Sequence, residues 1–463
     1  MAESAKILVG GRLVDAPALA PGERMIVLDE LTRVLVVSEA SEKLVEQVVA
    51  GAEAAGKALE RADNAAITQF FSGFAARLAT PEIASAIAAA NAADVESAKA
   101  RGRATGRLTL TERMLTAMIE GLEIWARAPS RVGEVVETRV ADSFRIERRR
   151  APLGVIGFVF EGRPNVLADA AGVLRNKNAA VLRIGADALA TAIAIEELAL
   201  RPALLDAGLP VEALTLIRSP HHDAAHALFS QRRLRLAVAR GSGEVVKLLG
   251  AIARQHGIPV SLHGTGGAWM YVEPSASKVA VETAIRNSLD RKVCNTLNVL
   301  VLDRAAVATL GPVVEAALGA VSCDVAVCRG SEGVVTATRD LDEAELGREW
   351  EWDQKPEMSF VLADGLDHAA RLINRYSPKF VASILSTRAG AFEEFYAAVD
   401  APYVGNAFTR WVDGQWAWLR PELGLSNWEG GRLLGRSGFL SGDDMTSIRD
   451  VFLDTTGLAP QAR

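Results

Sequence analysis

Between residues 152 and 240 four apolar runs, PLGVIGFVF, AAVLRIG, LTLIRS and LRLAVAR, are separated by stretches rich in Ala and Leu. Runs this continuously apolar do not suit antiparallel strands with one wet face, where apolar and polar residues alternate. They suit strands buried on both sides. Strand and helix in alternation therefore predict a parallel sheet covered by helices on both faces, an α/β architecture. A second series begins after Gly257 with PVSLHG, AWMYVE, the helix SKVAVETAIRNSLD, then NVLVLD, MSFVLAD, FVASILS and APYVGN, and the boundary between the two units is placed near Ser261. Ahead of both, residues 40 to 125 carry apolar residues at a period near 3.6, as in EKLVEQVVAGAEAAGKALERA, and read as several helices.

Length and charge narrow the possibilities. A chain of 463 residues exceeds one ordinary core, so two domains and a smaller appendage are expected. The appendage is read in EVVETRVADSFRIERRR, where alternation around ADS predicts a protruding hairpin. The net charge of −6 and a pI near 5.7 leave no basic surplus for nucleic acid or anionic lipid. No stretch approaches the roughly 20 apolar residues of a membrane span, and no leader is evident, so a cytoplasmic protein is expected. The three cysteines, Cys294, Cys323 and Cys328, are odd in number and show no CxxC spacing, which argues against a disulfide framework and against zinc. The six histidines include no HxxxH pair, and no metal site is expected; His221 and His222 read as a solvated loop.

Cys294 stands in LDRKVCNTLNVLVL, between a predicted helix and a predicted strand, where backbone amides can point at a bound acyl oxygen. By itself a cysteine is more often an inert small apolar residue, and Cys323 and Cys328 in LGAVSCDVAVCRG are read that way. The wider text separates Cys294 from them. RIERRRAPLGVIGFVFEGRPNV, HGTGG, VCN, INRYS and VGNAFTRWVDG occur in that order across nearly the whole chain, which resembles the aldehyde dehydrogenase superfamily and, within it, the glutamate 5-semialdehyde dehydrogenase, or gamma-glutamyl phosphate reductase, family.

The resemblance implies a Rossmann-type cofactor domain over 1–133 and 152–260, a catalytic α/β domain over 261–438, and oligomerisation segments at 134–151 and 439–463 that make a homodimer or homotetramer. It implies Cys294 as nucleophile and Asn165 in GRPNV as the side-chain amide that joins the Cys294 backbone N–H in an oxyanion site. Gly241, Ser242 and Gly243 in ARGSGEVVK match the turn at a helix start that meets a dinucleotide pyrophosphate, and Gly266 in HGTGG is placed with them on the cofactor. Ser242 reads equally as a helix cap. Arg183 and Gly185 in AAVLRIG match the strand end that holds the adenosine ribose, where a cation favours NADPH over NADH. Lys177 and Asn178 read as solvated turn residues. Glu161, Asn406, Thr409 and Arg410 match the substrate tunnel; Arg410 either meets a substrate carboxylate or pairs with Asp413.

Hydrolytic members of the superfamily use a glutamate to activate water, and in SLHGTGG the place is assigned to Leu262, which predicts poor hydrolysis. The implied reaction is therefore reductive: a small-molecule acyl donor, γ-glutamyl phosphate or an analogue, passes through a Cys294 thioester to an aldehyde. The KTQRP-like stretch usual before the cysteine is replaced by NSLDRK, which leaves Arg291 or Lys292 to stand in for a phosphate-binding arginine and keeps a coenzyme A or carrier-protein thioester open as donor. Trp411, Trp416, Trp418 and Trp428 crowd a region that is glycine-rich in the family, marking a divergent member.

Overall fold

The computed structural model describes residues 5–103, 105–413, 418–424, 428–429, 432–433 and 439–457, with the side chains of 428, 429, 432 and 433 not described. Trp416 and the side chain of Trp428 thus lie outside the described residues. Two hairpins open the chain, β1 (Lys6–Val9) with β2 (Arg12–Asp15) and β3 (Arg24–Leu28) with β4 (Arg33–Val37). Four helices follow: α1 (Glu39–Arg61), α2 (Asn64–Leu78), α3 (Pro81–Ala100) and α4 (Glu112–Arg127). α1 starts where the Ser38 hydroxyl accepts from Ser41 N–H and buries Val45, Val49, Ala52, Ala55 and Leu59 along one stripe.

β5 (Val135–Val140) and β6 (Phe144–Pro152) form the hairpin around ADS, and the C-terminal strand Thr446–Asp454 pairs along the whole of β6. The first α/β unit then runs through β7 (Val155–Phe160), α5 (Val166–Ala171), β8 (Ala179–Ile184), α6 (Leu189–Ile195), α7 (Arg201–Asp206), β9 (Leu214–Leu216), α8 (Asp223–Phe229), β10 (Leu234–Arg240), α9 (Gly243–Gln255) and β11 (Val260–His263). Its strand order is β11-β10-β7-β8-β9, all parallel. The winding reverses between β7 and β10, which opens a crevice beyond their carboxyl ends. Register aligns those ends, since Arg240 lies opposite Phe160 on one side and His263 on the other.

The second unit holds a seven-stranded parallel sheet in the order β15-β14-β16-β13-β12-β17-β18, formed by β12 (Ala268–Val272), β13 (Leu297–Asp303), β14 (Asp324–Cys328), β15 (Arg339–Leu341), β16 (Glu357–Ala363), β17 (Val381–Leu385) and β18 (Tyr403–Gly405). Separate apolar clusters cover its two faces. β11 belongs to the first sheet, so the crossing between units falls in the Gly264–Gly267 segment rather than near Ser261: the edge strand completes its pairing with β10 before the chain leaves. Leu440 and Met445 pack into the first unit's core, so only the strand from Thr446 onward joins the hairpin.

Asn178 is not a solvated turn residue. It is fully buried, its Oδ1 accepts from Leu153 and Gly154 N–H, and its Nδ2 donates to Met445 O, which latches the returning C-terminal chain onto β7. Lys177 turns the chain at φ 60° and donates to Glu60 O and Ala62 O. Among the described residues no helix is long and apolar enough to cross a membrane, and no group of three or more His, Cys, Asp or Glu side chains is placed to hold a metal ion.

Candidate active site

A cleft of about 700 Å³ opens where the two units meet, at the reversal point of the first sheet, and Cys294 lines it together with Asn165, Glu161 and the Gly241–Ser242–Gly243 turn. The segment carrying Cys294 is tied on every side. Gly267 N–H donates to Cys294 O at 2.7 Å, Thr296 Oγ1 donates to Arg291 O at 2.7 Å, and Asn295 Nδ2 donates to Asp413 Oδ1 at 2.9 Å. The Cys294 N–H takes part in none of the hydrogen bonds formed among the described residues, which leaves it free to meet an oxyanion. From the second unit's loop after β15, Glu349 accepts from Gly266 N–H at 2.7 Å and from Lys292 Nζ at 2.9 Å, joining both chain segments that flank the cysteine.

Asn165 is the residue before α5, and Asp169 one turn on accepts from its Nδ2 at 2.5 Å. An amide nitrogen carries two hydrogens, so one remains for the cleft. Beside Cys294, three guanidinium groups among the described residues also line the cleft. Arg240 ends β10, lies 3.3 Å from Glu422 and stacks over Phe160. Arg163 approaches Glu161 only at 3.7 Å. Arg107 spans the cleft, 3.8 Å from Glu161 of the first unit and 3.6 Å from Glu351 of the second.

These charges and the crowding around them set the titration of the site. Burial pushes the Cys294 thiol up to about 12, with Glu422 adding to the rise and Arg240 and Arg163 opposing it. Burial lifts Asp169 to about 7, against the pull of Arg240. Arg163 is held below the usual arginine range by burial and by Arg240. Burial, reinforced by Arg240, Arg163 and Arg107, holds His263 well below its ordinary value, so its imidazole is neutral.

Other residues expected in the site lie elsewhere. Arg183 is buried and its Nη2 donates to Pro220 O and His221 O, so the group expected to meet a 2′-phosphate is engaged by the turn after β9. Gly185 fits where a Cβ would come within 2.8 Å of Gly162 N; it packs the β8 end under the Glu161 loop and does not line the cleft. Gly266 lies against Cys294, 2.8 Å from its Cα to an added Cβ, and packs on the cysteine's backbone. Asn406 is exposed and outside the cleft lining. Thr409 is buried, its Oγ1 donating to Asn295 O at 2.7 Å, which makes it a support of the cysteine segment. Arg410 donates to Asp290 at 2.6 Å and to Asp413 at 2.9 Å, so its fork is spent on carboxylates of the chain itself. Lys292 and Arg291 are likewise paired, with Glu349 and Asp413.

The Leu262 assignment also changes. Its side chain is buried toward α9, where a Cβ on Gly250 would meet Leu262 Cδ1 at 2.6 Å, and the next residue, His263, lines the cleft. Alternation along β11 decides this: two neighbours on a strand cannot face the same side. Arg163, Arg240, Asp169 and Glu349 were missed in the sequence, although the first two stand inside the GRPNV and ARGSG motifs already singled out.

Fold and site together define the class, a nicotinamide-linked oxidoreductase. The sequence profile of the aldehyde dehydrogenase family matches residues 28–320. The chain is 34% identical to the gamma-glutamyl phosphate reductase of Bradyrhizobium diazoefficiens over 382 residues, 79% of this chain and 84% of that one. It is 32% identical to the gamma-glutamyl phosphate reductase of Brucella anthropi over 354 residues, 73% and 80% of the two chains. The crystal structure of gamma-glutamyl phosphate reductase from Thermotoga maritima superposes with a TM-score of 0.81 at 25% identity, over 90% of this chain and 100% of that one. The chain belongs to the aldehyde dehydrogenase family and, within it, to the gamma-glutamyl phosphate reductases.

Proposed function

We propose that this enzyme reduces an acyl phosphate, γ-glutamyl phosphate or a close analogue, to the aldehyde through a Cys294 thioester, in the cytoplasm and with NADPH as reductant. The observation that carries the reading is that Cys294, Asn165 and the start of α9 open on one cleft. The Cys294 thiolate attacks the acyl carbon, the bond from carbon to the phosphate oxygen breaks, and inorganic phosphate leaves. The Cys294 N–H and the second Asn165 N–H meet the oxyanion of the tetrahedral intermediate. When bound, the nicotinamide cofactor supplies the hydride that brings the thioester to the aldehyde level. Arg163, whose carboxylate neighbour Glu161 stands off at 3.7 Å, suits the phosphate better than Lys292, held by Glu349 at 2.9 Å, while Arg240 and Arg291 are each paired, at 3.3 and 3.4 Å.

The turn at Gly241–Gly243 fits a pyrophosphate. Ser242 precedes α9 without a side-chain cap bond, and a Cβ at Gly241 would come within 3.4 Å of Glu161. The lobe of the cleft beside α4 is lined by Arg113, Thr116, Glu120, Arg291, Asp413 and Glu422, with Ala117 the one aliphatic side chain among the described residues, which suits a substrate bearing both a carboxylate and an ammonium rather than a fatty acyl chain. The exposed Val136, Val140 and Phe452 on the three-stranded sheet suit contact with a second copy in a homodimer or homotetramer. The NADPH preference is assigned to Arg183, freed from its two carbonyls on binding.

The test incubates enzyme and NADPH with γ-glutamyl phosphate, generated in place by a glutamate kinase, and in parallel with coenzyme A thioesters, following loss of NADPH absorbance and trapped aldehyde. Turnover with the acyl phosphate that is abolished in Cys294→Ser is expected. Turnover with thioesters alone overturns the phosphate, and turnover surviving Cys294→Ser overturns the covalent route. For the cofactor, Arg183→Ala is expected to weaken NADPH at least tenfold while sparing NADH; equal weakening of both removes the assignment.

A further inference from the structure

Asn165 is held by an unequal set of bonds. Its Nδ2 donates to Asp169 Oδ2 at 2.5 Å, whereas its Oδ1 is buried and has no partner among the described residues. No other hydrogen bond to the amide forms among the described residues, so the bond to Asp169 decides which end of the carboxamide faces the cleft. The two residues sit one helical turn apart, Asp169 N–H donating to Asn165 O at 3.1 Å, which places both side chains on the same face of α5.

We propose that Asp169 is the positioning residue of the oxyanion site: its carboxylate takes one N–H of Asn165 and thereby turns the other N–H toward the carbonyl attacked by Cys294. This rests on the reading of Cys294 and Asn165 as an acyl-transfer pair, and it adds a group that touches neither acyl carbon nor cofactor. A protonated Asp169 gives the opposite result. It would offer an O–H to the orphaned Oδ1 of Asn165, the amide would turn over, and its oxygen rather than its nitrogen would present to the cleft. An oxygen there repels an oxyanion.

The surroundings of Asp169 place this proton in a working range. Arg240 from the end of β10 and Arg163 from the loop after β7 favour the carboxylate, Glu422 disfavours it, and Asp413 and Glu120 line the same lobe. With burial added, the group titrates at about 7. Above that pH the carboxylate holds Asn165 in the productive sense, and below it the hold is lost.

The test reads acyl transfer without the natural acyl donor or cofactor. Enzyme is mixed with p-nitrophenyl acetate in a stopped-flow instrument, and the first-turnover release of p-nitrophenolate is followed at its isosbestic wavelength. The wild type should release one equivalent per Cys294, and Cys294→Ser none; if the wild type shows no Cys294-dependent burst, the acyl-transfer reading itself fails. At pH 8.5 Asn165→Ala should slow the burst by about 10² to 10³, and Asp169→Ala by at least about tenfold. The double variant should be no slower than Asn165→Ala alone, because Asp169 acts through Asn165. Asp169→Asn offers a carbonyl and a donor, as the protonated acid does, and should be slowed at pH 8.5 toward the Asn165→Ala rate; a wild-type rate there overturns the role of the carboxylate. The logarithmic rate of this variant should rise with slope one from pH 5.5 to 8.5, whereas the wild type should show slope two below about 7 and slope one above. With the burst present in the wild type, multiplicative losses in the double variant, or a break near pH 7 that persists in Asp169→Asn, overturn the proposal.

Discussion

Replacing Gly266 by Ala separates two accounts of this glycine. A methyl group built there would lie 2.5 Å from Cys294 O, 2.8 Å from Cys294 Cα and 2.9 Å from Glu349 Oε1, whereas ordinary contacts of a Cβ begin near 3.4 Å. The cysteine backbone must therefore retreat by about 0.9 Å, the gap between 2.5 and 3.4 Å. It has little room to do so evenly, because Gly267 N–H holds Cys294 O and the Glu349 pair holds Lys292 two residues earlier. A nucleophile moved by about 1 Å loses on the order of 10² in rate, since the Asn165 donor and the rest of the cleft are fixed by other elements. The fold should survive, because Gly266 is not in the left-handed region, unlike Gly267 at φ 107°. We expect first-turnover acylation to fall about 10² while the dissociation constant for NADPH, measured by quenching of protein fluorescence, stays within about twofold. An unchanged acylation rate with cofactor binding weakened tenfold or more would return Gly266 to the cofactor site and refute the packing argument.

Two further outcomes follow from placements in the first sheet. Leu262→Glu should destabilise the protein by roughly 3 kcal/mol or more in urea titrations without producing hydrolysis, because it puts a carboxylate into the core beside α9. His263→Glu, which faces the cleft, should give sustained aldehyde oxidation without phosphate or thiol, where the wild type gives one burst and stops; the reverse pattern in the two variants would overturn the β11 register. Asp169→Asn should be more stable than the wild type at pH 8 and equal to it near pH 4. The folded carboxyl titrates at about 7, above its ordinary 3.8, so the wild type loses stability as pH rises through that window, by at most roughly 4 kcal/mol and by about 2 if cleft water screens half of it. Equal urea midpoints at pH 8 would count against this.

How far the sequence could be read depended on whether a residue's role was fixed by local pattern. β7 and β8 are buried at every position, so their apolar runs announced a covered parallel sheet. The β11 run looked the same, and nothing in PVSLHG marks which of two sheets an edge strand will join; pairing with β10 decides that. The first hairpin was legible but unread: KILV and RLVD flank Gly10 and Gly11, which take φ 56° and 76°, the signature of a two-residue turn. In the site, Cys294 and Asn165 were found through a motif. Arg163, Arg240 and Asp169 were not, because a charged residue beside an apolar run carries no periodicity that says which cavity it enters. Arg410 went the other way: the motif suggested a substrate carboxylate, but Asp290, 120 residues earlier, meets it first.

The resting state of the nucleophile follows from the same cluster and gives a prediction of sign. With burial and Glu422 lifting the Cys294 thiol to about 12, the resting cysteine is held chiefly as the thiol at pH 8. Glu422 and Arg240 act on that thiol with opposite charge while lying 3.3 Å from each other. Removing the acid should therefore do two things at once, taking away a negative neighbour and releasing a positive one. Glu422→Gln should speed alkylation of Cys294 by iodoacetamide at pH 8, and Arg240→Gln should slow it, each by roughly threefold to tenfold if the charges act across partly screened distances. Cys323 and Cys328 supply internal controls, since neither lies near Arg240, and peptide mapping of the labelled protein distinguishes the three. If both variants moved alkylation in the same direction, access to the cleft rather than charge would be setting the reactivity of Cys294, and the electrostatic account of the site would have to be abandoned.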